Sequence, residues 1–144
     1  MPLMCVDCYE PRYIKYRSGV CCKKCGGYLV EIDENFLQAI ILLNKKGYYT
    51  NYCCSSHCQK GGSFVCESYI SFENGILPPY FPKNYKTDKE LYPHVDWEKH
   101  NCNGNNCIRY HFDDSDMIKL QKEILQNAIN VLNWAESLPE LEIK

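Results

Sequence analysis

Two short cysteine knuckles constrain this chain more than any other feature. Cys5-Val6-Asp7-Cys8 is the first and Cys22-Lys23-Lys24-Cys25 the second. Thiolates two residues apart on a tight turn both reach one metal ion at the ~2.3 Å of a Zn–S bond. Two such turns close a tetrahedral site of four cysteines. Gly26-Gly27 follows the second knuckle and lets backbone N–H groups curl toward the sulfurs. The expectation is one structural zinc on Cys5, Cys8, Cys22 and Cys25, with no coordination position left for catalysis. Cys21 is an alternative fourth ligand, but the two-residue gap is preferred. Tyr9 to Val20 is long enough for a short hairpin. Residues 1–30 therefore read as a zinc ribbon, too small to hold a core without its metal.

The 144 residues include 11 cysteines, an odd number with adjacent pairs at Cys21-Cys22 and Cys53-Cys54. A disulfide framework explains that poorly. The N-terminus lacks the charged and apolar regions of a signal peptide, and Phe36 to Leu43 is too short to span a bilayer. A cytoplasmic protein without a membrane partner is expected, in a compartment where disulfides are rare. Apolar residues at 45% suffice for a core. The net charge of -2 is uneven: residues 1–30 carry five Lys/Arg against two acids, and residues 113–144 three Lys against seven acids. That is not the basic stripe of a dedicated nucleic-acid binder. A nucleic-acid contact would have to use the ribbon, through Tyr13, Lys15, Tyr16, Arg17, Lys23 and Lys24.

Residues 31–144 read as an α+β domain, a small antiparallel sheet carrying two helices. Asp33 is placed to cap a helix whose apolar face is Phe36, Leu37, Ile40, Ile41 and Leu43. Lys45-Lys46 suit its last turn and Gly47 its stop. Tyr48 to Cys54 and Ser63 to Phe72 read as strands. Between them, Ser55-Ser56-His57-Cys58-Gln59-Lys60-Gly61-Gly62 gathers hydroxyls, an imidazole, a lysine and glycines. Such a loop suits phosphate or carboxylate oxygens, and it equally suits a plain polar hairpin connection.

The run from Leu43 through Gly47-Tyr48-Tyr49-Thr50 to Cys53-Cys54-Ser55-Ser56-His57 resembles a recurrent motif of small phage and prophage proteins of low-G+C bacteria. Those proteins often place it after a zinc ribbon and end in a helix with a Trp and a Leu-Pro, here Trp134 and Leu138-Pro139. Over about residues 34–72 the chain is also similar to the tRNA wybutosine-synthesising methyltransferase family, the third enzyme of that pathway. There the loop helps form a pocket for S-adenosylmethionine and an RNA base. The chain departs from that family at Ser56, where the family has Gly, and at His57, where it has Arg. The resemblance implies a shared fold more than a shared reaction. A phage setting would imply host cytoplasm and a role in sequestering a host immune signal.

Residues 73–106 carry four prolines and a dense set of aromatics, including Tyr80, Phe81, Tyr85, Tyr92 and Trp97. They read as a long loop, either a lid that stacks on a base or a wrap over one sheet face, with the wrap favoured. Cys107 to Phe112 reads as a strand. Within it, Arg109 either clamps an anion beside the Ser55 loop or pairs with a surface acid. Residues 115–137 read as a helix, with Asp114 or Ser115 as cap and Asp116 in the first turn. Its stripe of Met117, Leu120, Ile124, Ala128, Val131, Ala135 and Leu138 packs on the core or on another subunit. A second zinc drawing on Cys54, His57, Cys58, Cys66, Cys102, Cys107 or His111 is a lesser alternative to buried thiols.

The leading functional expectation is a zinc-containing binder of a nucleotide-like or phosphorylated small ligand, contacted by Ser55, Ser56, His57, Lys60 and Arg109. An interaction module using the basic ribbon and a nucleic-acid methyltransferase relative are the alternatives, and homo-oligomerisation stays open.

Overall fold

The computed structural model describes residues 3–9, 11–12, 25–27, 29–56, 66–73, 76–100, 105–112 and 116–141. The first strands are short. β1 (Leu3–Cys5) lies between β2 (Pro11–Arg12) and β3 (Leu29–Glu31), antiparallel to both. Leu3 and Cys5 are buried within this unit, whereas Met4 joins the main core. That split follows from strand alternation, which sends neighbouring side chains to opposite faces.

Asp33 caps the next segment as its position suggests. Its carboxylate accepts the Asn35 N–H at 3.1 Å and starts a 3-10 turn over Glu34–Phe36, which runs into α1 (Leu37–Lys45). Gly47 stops the helix at φ +97°, a left-handed conformation that glycine adopts without penalty. Lys46 does more than complement its own helix. Its Nζ donates to the carbonyls of Ala135, Glu136 and Leu138 at 2.7–2.8 Å, tying down the end of the last helix.

The second sheet is antiparallel throughout, in the order β4-β5-β7-β6. β4 spans Thr50–Cys54, β5 Cys66–Phe72, β6 Lys86–Thr87 and β7 Cys107–Phe112. One face carries Cys53, Ile70, Ile108 and Thr87 in a single row. It packs on α1 and on α3 (Met117–Ser137). Phe36, Leu37, Ile40, Leu43, Tyr48, Phe72 and Val131 complete that core. Each such buried side chain contributes about 1.5–3 kcal/mol. Phe112, Leu120 and Ile124 form a smaller cluster at the far end. The expected stripe of α3 is buried at Leu120, Ile124, Val131, Ala135 and Leu138, with Ile118, Leu125 and Ile129 exposed on the other side.

Two expectations change. The helix cap of α3 is Asp116, whose carboxylate accepts the Ile118 N–H at 2.9 Å, rather than Asp114 or Ser115. There are three α-helices among the described residues, not two, because α2 (Asp88–Leu91) forms within the presumed loop 73–106. A capping box fixes it: Thr87 and Glu90 bond each other's backbone N–H at 3.2 Å. The same segment supplies β6 and a 3-10 turn over Trp97–His100. It also wraps the core. The Tyr85 hydroxyl sits in a buried network with Ser68 and Asn127, and the Tyr80 hydroxyl bonds the Ser137 carbonyl. The Trp134 indole N–H donates to the Tyr80 carbonyl at 2.8 Å.

Burial pushes the Cys53 and Cys107 thiols and the Tyr85 phenol each up to about 12. Unfolded thiols and phenols ionise at about 8.5 and 10. Below those values both states hold the protons. Above them the unfolded chain loses protons that the fold retains, so stability falls as pH rises. The slope is about 1.4 kcal/mol per pH unit for each group. Thermal melts are expected to be flat to about pH 8 and to drop from there toward pH 12, with a shallower drop in Cys107→Ser. Stability rising across that range contradicts the burial of these groups.

Candidate metal centre and sheet-face cleft

Cys5 ends β1, Cys8 lies on the turn that follows, and Cys25 precedes Gly26-Gly27. The Cys5 and Cys25 sulfurs are 3.3 Å apart, and the three sulfurs lie within 4.8 Å of one another. This is far longer than a disulfide bond, and none of the three cysteines is in a disulfide. Thiolates around a tetrahedral zinc sit ~3.7 Å apart, so the spacing fits one shared metal ion. Cys5 is buried, Cys8 half-buried and Cys25 exposed. Burial pushes the Cys5 thiol up. The Cys8 and Asp7 N–H groups and the Cys25 and Cys8 thiols outweigh it, so its pKa ends below the ordinary value. A stabilised thiolate is the form a metal binds.

Gly27 makes this approach possible. A Cβ there would meet the Asp7 carboxylate and would lie 2.9 Å from the Cys5 sulfur. Cys22, the expected fourth ligand, lies outside the described residues. A Cys5–Cys8–Cys25 group able to hold a metal ion is thus present. Among the described residues no second group of three ligating side chains comes together. His57, Cys58 and Cys102 lie outside them.

Of the described residues expected to meet a ligand, Ser55 and Ser56 follow β4 and Arg109 lies on β7. Ser55 is fully buried, and its N–H and hydroxyl donate to the Asp33 carboxylate at 2.8 Å, while Asn35 donates to its Oγ. It ties the end of β4 to the start of α1. Ser56 is buried with φ +77°, a left-handed conformation in which glycine is more at home. His57 and Lys60 lie outside the described residues.

Arg109 lies on the outer sheet face. The row Cys54, Tyr69, Arg109, Lys86 crosses all four strands, and residues directly opposite share a face. Two strand spacings, about 9.6 Å, separate Cys54 from Arg109. Its Nε donates to Asp88 at 2.6 Å and its Nη1 to Glu67 at 3.1 Å. The guanidinium lies 4.9 Å from the centre of the Tyr69 ring. Burial pushes the Arg109 pKa down, but the Asp88 bond and the nearby acids outweigh it and raise it, so the charge is held. Of a guanidinium's five N–H donors, two are engaged and the rest are not, among the described residues. His111 Nδ1 stands 3.4 Å from Glu67 on the same face.

Around Arg109 the surface forms a cleft of about 350 Å³, walled by Tyr52, Tyr69, Trp97, Asn106, Asp88 and Ser71. Tyr52, Tyr69 and Glu67 carried no functional signal in the sequence beyond their place in strands. Asp88 did carry one, since Thr87-x-x-Glu90 is legible as a helix start that orients it.

Comparison with known proteins returns no match to a family model, to a curated protein or to a solved structure. Among the described residues no helix is long and apolar enough to cross a membrane.

Proposed function

We propose that the protein is a zinc-stabilised binder of a nucleotide-like ligand, seated on the outer face of the four-stranded sheet. The zinc half rests on the three convergent thiols, with Cys22 as the fourth ligand by its spacing. Soft thiolates in that number favour zinc over harder cations. The bound metal cross-links the small N-terminal sheet and so supplies folding energy.

The observation that carries the ligand half is the meeting of aromatic rings and a guanidinium in one cleft. A heteroaromatic base stacks on Tyr or Trp rings with about 1–3 kcal/mol each. Asn106, Ser71 and Asp88 offer both donors and acceptors for the edge of a base. Asp88 and Glu67 absorb much of the Arg109 charge, so the cleft suits the base more than the phosphates. Lys60 and His57 supply the phosphate contacts in this reading, on the strength of the loop sequence. The resemblance to phage and prophage proteins makes withholding a nucleotide signal the role of such binding, and that role rests on the resemblance alone.

Calorimetric titration with AMP, GMP and their nucleosides tests the reading. Saturable binding to at least one is expected, weakened about tenfold or more in Trp97→Ala and in Arg109→Lys. Absence of binding to all four, or equal affinity in both variants, overturns it.

A further inference from the structure

A second cleft lies on the other side of Tyr52, between the turn after β1 and the start of β4, with a volume of about 320 Å³. That is within the range of small-ligand sites, about 300–1,000 Å³. Its chemistry is unlike that of the sheet-face cleft. Tyr9, Tyr49 and Tyr52 line it, together with Glu73, over apolar residues that include Met4 and Ile32. No Lys, Arg or His occurs among the described residues that line it. We infer that this cleft binds an organic cation with an alkyl stem, an alkylammonium or alkylguanidinium group.

Phenol rings carry negative faces that attract cations, and recognition of ammonium groups by clustered aromatics is a general use of that attraction. A carboxylate beside them adds a formal charge of the right sign. The Glu73 carboxylate makes no hydrogen bond or ion pair among the described residues; its backbone alone is used, the N–H donating to the Tyr49 carbonyl at 2.9 Å and the carbonyl accepting the Ile76 N–H at 3.2 Å. The hydroxyls of the three tyrosines also make no hydrogen bond among the described residues. Asn44 and Thr50, which share the lining, are already bonded to each other at 3.0 Å. The buried Met4 and Ile32 suit methylene groups of the stem. A phosphate is the wrong ligand here, because Glu73 repels it and no cation offsets that repulsion among the described lining residues. Val6 and Tyr9 belong to the Cys5–Cys8 turn, so the metal that fixes this turn also fixes one wall.

Two sources share this chemistry: a free small cation, and a lysine or arginine side chain of a peptide. Titration of the metal-loaded protein, followed by tyrosine fluorescence and calorimetry, uses choline, cadaverine and agmatine for the first source. Peptides with one central lysine, trimethyl-lysine or arginine serve for the second, and 3,3-dimethylbutanol is the neutral isostere of choline. Saturable binding is expected for cations and not for the isostere, with about a tenfold loss in Glu73→Gln and in Tyr49→Leu. Tighter binding by the free cations than by the peptides assigns a small-molecule site, and the reverse order a peptide site. Glu73→Gln alters an exposed side chain, so its circular dichroism should match the parent. No saturable binding of any cation, or isostere binding as strong as choline, overturns the inference. AMP should neither compete nor be affected by Glu73→Gln, which separates this site from the sheet-face cleft.

Discussion

Gly27→Ala is expected to strip the protein of its metal. The added Cβ has nowhere to go, since the Asp7 carboxylate and the Cys5 sulfur already occupy that space. The exposed Asp7 carboxylate can swing aside, but the buried Cys5 sulfur is held by its own strand and cannot. Displacing Cys5 breaks the set of three convergent thiols, and because the metal carries folding energy, the small sheet β1–β3 should loosen with it. Changes next to metal ligands cost about 10–100-fold in affinity, and a direct clash with a ligand belongs at or beyond the upper end. Competition with a chromogenic chelator reads this directly. Gly26→Ala is the useful contrast. Its Cβ would meet nothing within 4 Å, although its φ of +81° adds strain, so a smaller loss is expected there.

Asp33→Ala should be the most destabilising single change outside the metal centre. Its buried carboxylate accepts the Ser55 N–H, the Ser55 hydroxyl and the Asn35 N–H. Truncation removes the cap of the first helix and leaves the Ser55 donors buried without partners. Loss of a cap costs about 1 kcal/mol, and stranded buried donors about 1–3 kcal/mol each. A total of about 3–7 kcal/mol follows, or roughly 10–25 °C in melting temperature for a chain of this size. Asp33→Asn keeps one acceptor oxygen and should lose about half as much. Equal melting temperatures for parent and Asp33→Ala would show that the bonds between Asp33 and Ser55 contribute nothing. Ser55→Ala should also destabilise, which distinguishes this structural role from a ligand contact.

What the sequence revealed followed the reach of its signals. Asp33, the apolar face from Phe36 to Leu43 and Gly47 define α1 through rules that act within one or two turns of chain. The strand Cys107–Phe112 was legible for the same reason, by composition and a preceding turn. The segment 73–106 was not. β6 is two residues long and exists because Lys86 and Thr87 meet Arg109 and Ile108 on a strand some twenty residues away. α2 is a single turn whose only local signature is Thr87 with Glu90. The candidate sites divide along the same line. The three thiols able to hold a metal ion were readable from spacing, because a knuckle is a local object. The partners of Arg109 were not, since Glu67 and Asp88 come from two other elements. Nor could composition tell that Ser55 points its hydroxyl at a buried carboxylate.

Native mass spectrometry of the protein as purified from cells tests the metal centre most directly. One zinc per chain is expected, lost from Cys5→Ser and Cys25→Ser while the parent retains it. A chain that carries no metal while its thiols are fully reduced contradicts the assignment of these cysteines to a metal site.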